Sequence, residues 1–217
     1  TEVELTASKI ADSTSVLAMA FFNSDRQVLN KNLKTKNLVA EAIWNNNHID
    51  FGLDADQDGQ NNYVRLKGGV DFLKDSTLLR FLPSTISLLE KSWQVDPNNR
   101  ITVSRKTIAV QDLRIRHDDQ FVLFNGAISD DPAKKLSLQV SNLDLSILSP
   151  LTGREISGRL EALFDLTNYY VDPSVQNDVR IDSLTIDQFL IGDITGKNQW
   201  DTLERKFVID FGVDRNN

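Results

Sequence analysis

The segment Asp54–Gly59, with the sequence DADQDG, is the part of the chain that most resembles a metal-binding loop. Acidic residues at its first, third and fifth positions and glycine at the sixth are typical of an EF-hand calcium loop. The twelfth position, where a bidentate glutamate would complete the coordination, is Arg65. We therefore expect a strand that ends in a hairpin turn here, and no metal site is predicted.

Two histidines, His48 and His117, are the candidates for acid–base chemistry, and the chain has no cysteine. A hydrolase of the triad type needs a nucleophile and an oriented base within hydrogen-bond reach, which the spacing around His117-Asp118-Asp119 does not establish. We expect a turn at this position. A β-rich hydrolase remains the enzymatic alternative, and it requires a pocket that gathers His48 or His117 with carboxylates from distant turns.

Two adjacent carboxylate pairs, Asp118/Asp119 and Asp130/Asp131, could in principle serve glycoside hydrolysis. Each pair lies in a turn-like cluster, so we interpret both as solvated turn residues. Trp44, Trp93 and Trp200 could line a sugar site, but tryptophans this widely spaced more often pack in a core. No phosphate-binding glycine loop occurs, and the chain is predicted to be non-enzymatic, without a cofactor.

Composition narrows the class of protein further. The 217 residues are 40% hydrophobic and 25% charged, which predicts an ordered globular chain. The net charge is −7, with scattered basic residues, so nucleic acid is a poor partner. No apolar run of about 18 residues is present, so no transmembrane helix is predicted. The absence of cysteine leaves the redox compartment open, and we expect the chain to be a piece of a longer protein.

From about residue 47 onward, the apolar residues mostly recur with a period of two. In His48–Asp56, for example, Ile49, Phe51 and Leu53 alternate with polar residues or glycine, which is typical of a strand with one dry face. Short turn clusters separate such segments, so neighbouring strands should be antiparallel. The pattern predicts an all-β fold of roughly 12 to 15 strands with few short helices.

Four segments deviate from this simple pattern. We predict a polar linker of uncertain form at Asn23–Asn37, a possible short helix at Ser84–Ser92, and a helical turn at Leu145–Leu151 ended by Pro150. Glu155–Thr167 fits both a helix and a strand by periodicity. Because Gly158 would cost a helix about 1 kcal/mol, we favour the strand.

An antiparallel sheet of alternating strands leaves one apolar face, and water must be kept off it. The sequence offers no helix layer for this purpose. The sheet could close on itself as a sandwich, or it could stay open as a curled groove that holds an apolar guest. The sandwich alternative corresponds to a structural or carbohydrate-binding module of a cell-envelope protein.

The run Lys135–Leu160, KLSLQVSNLDLSILSPLTGREISGRL, combines an alternating strand, a short turn and the start of a further strand. With Phe124–Ser129, the strand pair around Ile181–Gly192, and Leu89–Val95, it resembles the C-terminal region of the TamB family, the translocation and assembly module proteins of the AsmA-like group. The Leu89–Val95 stretch is similar to members from Bacteroidetes-like bacteria. The resemblance covers residues 61–217, and residues 1–60 are expected to supply further strands of the same elongated domain.

The resemblance implies a curled, mostly antiparallel sheet that forms an elongated apolar groove, a β-taco. It implies a periplasm-spanning lipid conduit that carries phospholipid acyl chains between inner and outer membranes and supports outer-membrane biogenesis. For the full-length protein it implies an inner-membrane helix absent here and an Omp85-type outer-membrane barrel as partner. Edge-to-edge self-association is also expected. The residues expected to line the groove are Phe51, Leu53, Leu66, Val70, Phe72, Val110, Phe121, Leu123, Leu138, Val140, Ile156, Leu160, Phe164, Ile181, Ile186, Phe207, Ile209 and Phe211.

Overall fold

The chain is all-β, as its alternating pattern predicts. A computed structural model describes residues 2–9, 16–30, 33–201 and 206–215. These residues contain sixteen strands, one more than the upper end of the expected range. The chain divides into two compact units, unit 1 (Thr1–Arg105) and unit 2 (Lys106–Asn217). The division at residue 60 that the family resemblance suggested stays a prediction.

Nine strands belong to unit 1 and seven to unit 2. The strands of unit 1 are β1 (Glu2–Lys9), β2 (Val16–Asn30), β3 (Leu33–Asn45), β4 (His48–Gln57), β5 (Tyr63–Phe72), β6 (Ser76–Phe81), β7 (Ser84–Leu88), β8 (Lys91–Val95) and β9 (Arg100–Ser104). The strands of unit 2 are β10 (Thr107–His117), β11 (Gln120–Ser129), β12 (Lys135–Asp144), β13 (Ile156–Thr167), β14 (Ser174–Ile186), β15 (Phe189–Asp201) and β16 (Lys206–Asp214).

Unit 1 is an antiparallel meander from β1 to β6, followed by a bent hairpin. Strand β5 pairs with β6 along its C-terminal half and with β7 along its N-terminal half. The bend between β6 and β7 is held by Ser84, whose hydroxyl accepts from the Lys67 amide at 2.9 Å and donates to the Leu82 carbonyl at 2.8 Å. Asn99 bonds both backbone groups of Phe81, at 2.7 and 2.8 Å. These buried polar side chains replace the ladder bonds that the bend interrupts.

The short helix predicted at Ser84–Ser92 is wrong, because this segment is the β7–β8 hairpin. Its two-residue turn consists of Leu89 and Glu90, with φ of 50° and 62°. Positive φ at both central positions is the geometry of a type I′ turn, which usually carries Asn-Gly. The sequence thus lacked the usual turn signal at this position.

Unit 2 is an uninterrupted antiparallel meander from β10 to β16. Its pairing shifts register within four of the six strand pairs, for example between Val140 and Leu143 on β12. Each such bulge bends its strand and increases the local right-handed twist. Glu155–Thr167 contains β13, so the preference for a strand is confirmed, and Gly158 occupies the bulge on β13 at φ 136°.

The helical turn predicted at Leu145–Leu151 is confirmed. A 3-10 turn (Leu145–Leu148) runs into a single α-helical turn, α1 (Ser149–Thr152). The Asp144 carboxylate accepts from the Ser146 amide at 3.0 Å and caps the start. Pro150 lies at the beginning of α1 rather than at its end, where proline is well tolerated because the first amides need no helical partner.

The polar linker predicted at Asn23–Asn37 is wrong, because the described part of this segment is a long hairpin. Strands β2 and β3 remain paired through Arg26 opposite Lys36 and Val28 opposite Lys34. Ser24, at 1% exposure, accepts from the Gln27 side chain at the point where the segment is most buried. Cross-strand backbone pairing therefore makes this segment a pair of strands, although its polar composition is typical of a linker.

The buried core is small. Among the described residues, six hydrophobic side chains are buried, and most other apolar side chains are partly or largely exposed. A sandwich interior would exclude water from a much larger set of inward-facing residues. The buried six are Trp93, Val95, Val140, Leu145, Ala162 and Leu184.

Candidate functional site

The most extensive chemical feature of unit 2 is the apolar face of its sheet. Residues directly opposite each other on antiparallel strands share a face, so the register defines rows that cross the unit. One row joins Val122, Val140, Ala162, Val179, Gly196 and Phe211. A second joins Phe124, Leu138, Phe164, Asn177, Asn198 and Ile209. A third joins Leu143, Leu160, Ile181, Ile194 and Val213.

We call these three rows the unit 2 apolar face. They carry no charged side chain, and their polar members are Asn177 and Asn198. Burial decreases along the rows towards β16: Val140 is 7% exposed, whereas Ile209 is 72% and Phe211 is 64% exposed. All seven strands belong to the one meander, so within the described part of this unit no second sheet covers the face.

Unit 1 has an equivalent apolar face, built mainly on β4 and β5. Five of the predicted lining residues share it by register: Phe51, Leu53, Leu66, Val70 and Phe72.

The sequence interpretation missed Trp44 and Phe81, which lie on this same face. Phe51 meets Phe81 edge to face at 6.1 Å between ring centroids, and Trp44 lies 6.3 Å from Phe72. Trp44 and Phe72 are 45% and 42% exposed, so the face is open to solvent at this point.

The prediction was wrong for two residues of unit 2: Phe121 and Leu123 do not lie on the unit 2 apolar face. Leu123 lies opposite Gln139, and Phe121 lies under the Arg114 guanidinium, which is 4.8 Å from its ring centroid. Both therefore belong to the polar side of unit 2. The apolar side of β11 is formed by Val122 and Phe124 instead, because these are the residues that oppose Val140 and Leu138.

Most of the remaining predicted lining residues of unit 2 share the apolar face. Leu138, Val140, Leu160, Phe164, Ile181, Ile209 and Phe211 lie in the three rows defined above. Val110 opposes Gly126, which in turn opposes Leu136 on this face. Ile156 and Ile186 oppose each other beyond the bulge of β13. The side chain of Phe207 lies outside the described residues.

The opposite side of unit 2 is held by cross-strand ion pairs. Lys135 lies 2.8 Å from Asp165, and Lys197 lies 2.8 Å from Asp178. Burial acts to raise the pKa of Asp165, but the bonds from Lys135 and Ser137 together outweigh it, so the pKa is lowered. A shallow polar depression of about 400 Å³ also lies on this side, next to Asp165 and Lys197. The sheet is therefore polar on one side and apolar on the other.

His48 is the centre of a small charge cluster on the polar side of unit 1. Its Nδ1 lies 2.6 Å from Asp71, its Nε2 lies 3.1 Å from Asp50, and Arg80 donates to Asp71 at 3.2 Å. The hydrogen bonds that protonated His48 donates to Asp50 and Asp71 raise the pKa of His48, and the bond to Asp71 in turn lowers the pKa of that carboxyl group. Carboxylates engage both ring nitrogens, which is the arrangement of a structural ion pair.

The segment that resembles a calcium loop is occupied by its own cross-strand contacts. Asp54 and Asp56 lie on β4 and face Arg65, at 3.5 and 2.5 Å. The bonds from Asn37 and then Arg65 lower the pKa of Asp56. Arg65 thus supplies the positive charge that balances these carboxylates. Among the described residues, no cluster of three or more acidic or histidine side chains is arranged to hold a metal ion.

The other candidates from the sequence are dispersed. His117 contacts Asp118 at 3.4 Å in the β10–β11 turn, and Asp119 accepts from Asn142. Asp130 pairs with Lys106 at 2.8 Å.

Trp93 is 4% exposed, unlike Trp44, and the Trp200 side chain lies outside the described residues. Within the described ranges, no helix is long and apolar enough to cross a membrane.

Comparison with known proteins found no matching family model, no curated relative and no similar solved structure.

Proposed function

We propose that this chain is a non-enzymatic segment of a lipid conduit, in which the apolar faces of the sheet hold phospholipid acyl chains. The observation that carries the proposal is an apolar face that no second sheet covers in the described part of unit 2 and that is open to solvent towards β16. Charge-free, mostly apolar rows run across up to six strands, β11 to β16, and two of them end at Phe211 and Ile209, which are mostly exposed. Exposed apolar patches of this kind mark binding surfaces.

The energetics of an acyl chain favour carriage over tight binding. Each buried methylene is worth about 0.8 kcal/mol, so a chain of about 16 carbons gains about 12 kcal/mol on leaving water. The chain gains a similar amount in a bilayer, so transfer between bilayer and protein is nearly isoenergetic. Because the three rows contain no charged residue, they provide no strong polar anchor, and an acyl chain can slide along them.

The setting of this conduit is also a proposal, and it rests on the family resemblance. We place the protein in the periplasm, where it would pass lipid between the inner and outer membranes and support outer-membrane biogenesis. The full-length protein would be anchored in the inner membrane and would contact an Omp85-type barrel. The headgroup would remain in solvent, since burial of an unpaired phosphate costs far more than the acyl chain gains per methylene.

Brominated lipids provide a direct test. Bromine on an acyl chain quenches a tryptophan that it contacts, and the exposed Trp44 lies on the unit 1 apolar face whereas Trp93 is buried. In a Trp200→Phe background, vesicles of brominated phosphatidylcholine should quench Trp44 emission. A further Trp44→Phe change, which leaves Trp93 alone, should abolish most of that quenching.

Native mass spectrometry gives an independent readout. Gently extracted protein should carry phospholipid adducts. Absence of adducts together with unquenched Trp44 would overturn the proposal.

A further inference from the structure

An apolar depression lies on the polar side of unit 1, where it is formed by strands β1 to β3. It has a volume of about 300 Å³, and its floor contains Met19, Phe21 and Ile43. Met19 is 49% and Ile43 is 38% exposed. On the neighbouring strands the same side carries the charged residues Asp50 and Lys67, so this depression interrupts an otherwise charged surface.

The strand register places a glutamate on each side of Phe21. Glu4 on β1 lies opposite Phe21 on β2, and Phe21 lies opposite Glu41 on β3. Met19 and Ile43 oppose each other in the adjacent row on the same face. Both glutamates are exposed, and Glu41 lies close over Gly52, where an added β-carbon would come within 2.9 Å of its carboxylate. A side chain at that position would displace Glu41 from the rim.

We propose that this depression binds a basic amphipathic peptide segment of a partner protein. A lysine or arginine would place its cation over the Phe21 ring, between the carboxylates of Glu4 and Glu41. A cation over an aromatic face is attracted by the ring quadrupole, and the two carboxylates add charge complementarity. This interaction surface is separate from the acyl-chain faces and does not depend on them.

The spacing of the two rows selects the conformation of the ligand. Rows two residues apart on a strand are separated by about 7 Å, which matches side chains at positions i and i+2 of an extended peptide. The basic side chain would occupy the Phe21 row and an aliphatic one the Met19–Ile43 row. Methionine adapts its shape to different apolar partners, so an exact aliphatic shape is not required. An anionic lipid surface would be repelled by Glu4 and Glu41.

The test uses the full chain and a fluorescein-labelled peptide of sequence Ser-Lys-Ser-Leu-Ser-Lys-Ser, with capped ends, measured by fluorescence anisotropy. We expect saturable binding that weakens with added salt. The double variant Glu4→Gln/Glu41→Gln should weaken it by about tenfold or more, as expected when rim charges are lost. Met19→Ser should also weaken it. The same peptide with glutamate in place of lysine should not bind.

Two matched controls separate this site from general charge attraction. Glu90→Gln removes one exposed carboxylate outside the depression, and Val28→Ser shortens an apolar residue on β2 that is 69% exposed. Neither should change the affinity. Equal binding by the wild-type chain and the Glu4/Glu41 double variant, or an equal loss in the Glu90 control, would overturn the proposal. The proposal would also be overturned if the peptide fails to bind and the chain instead self-associates in a way that Met19→Lys abolishes.

Discussion

The ring of Phe51 lies across Gly68 on the neighbouring strand, in the space that a side chain there would fill. A β-carbon on Gly68 would overlap Cζ of Phe51 and approach the Arg80 carbonyl oxygen to 2.6 Å. Phe51 reaches Phe81 by crossing this gap, and their rings meet edge to face at 6.1 Å. A glycine within a strand here permits an aromatic contact across three strands.

Gly68→Ala is therefore expected to lower the free energy of unfolding by about 1–3 kcal/mol, the usual cost of overpacking. Gly196→Ala is the matched control, because a β-carbon there would meet Phe211 at an ordinary 3.8 Å. The control should be neutral or slightly stabilising, since alanine restricts the unfolded chain more than glycine does. Urea denaturation of both variants measures the difference, and equal stability would contradict the packing described for Phe51.

The β7–β8 turn should be open to improvement by substitution. Leu89 and Glu90 both have positive φ, which costs residues with a β-carbon about 1 kcal/mol each. Replacing Leu89 by Asn and Glu90 by Gly should stabilise the chain by about 1–2 kcal/mol in thermal unfolding. The Leu89 amide, which donates to Asn62 at 2.8 Å, is retained in the variant. A lower melting temperature would show that the leucine side chain contributes more than the strain costs.

The same turn shows why part of the fold escaped prediction. The alternating period predicted the strands, but the turn type at Leu89-Glu90 depends on tertiary contacts such as the Asn62 bond. A similar limit applies to β11, where Phe121, Val122, Leu123 and Phe124 are consecutive apolar residues. Both faces of that segment read as apolar, so only the register with β12 decides which one is buried with Val140.

The His48 cluster predicts a pH-dependent stability of unit 1. The folded pKa of His48 is raised above its unfolded value of about 6.5, so its contribution is fully present below that pH and is lost as pH rises through the folded pKa. The folded pKa of Asp71 is lowered, so its contribution is present above about pH 4 and is lost in acid. The cluster should thus stabilise most between these limits.

Urea denaturation of the wild-type chain and His48→Gln at several pH values measures this effect. The stability difference between the two proteins should be largest near pH 5 to 6 and should shrink towards pH 8.5. In the His48→Gln background, Asp71→Asn should then change the pH dependence of the free energy of unfolding only slightly over the same pH range. A difference that is constant from pH 5 to 8.5 would contradict the role of His48 protonation.

The edge strand β16 should promote association between copies of this chain. It pairs with β15 over nine residues without a register shift, and Ile209 and Val213, which lie on its apolar side, are 72% and 52% exposed. The strand carries Lys206, Asp210 and Asp214, but its pairing with β15 has no bulge, and bulges are one of the features that usually prevent strand addition. Sedimentation velocity should show concentration-dependent association that Ile209→Lys reduces. Val28→Lys, on an internal strand, should leave association unchanged, and equal effects would indicate a change of net charge only.

Neighbouring residues on β13 allow the two sides of the unit 2 sheet to be compared. Phe164 lies on the apolar face opposite Leu138, whereas Leu163 lies on the polar side opposite Gln139 and is 43% exposed. Phe164→Asp places a charge where an acyl chain is proposed to lie, and desolvation of an unpaired carboxylate there is costly. Leu163→Asp adds the same charge to a wet surface. Phospholipid adducts in native mass spectra should be lost in the first variant and kept in the second.

Stability distinguishes this outcome from simple unfolding. If the face is open, the new carboxylate at residue 164 can stay hydrated when lipid is absent, so Phe164→Asp should retain a cooperative urea transition while losing lipid. Leu160→Arg, on the same apolar face but in the row beyond that of Ala162, should behave in the same way. Unfolding of Phe164→Asp and Leu160→Arg, with Leu163→Asp unaffected, would instead mean that protein side chains already seal this face, because a charge in a closed core costs several kcal/mol.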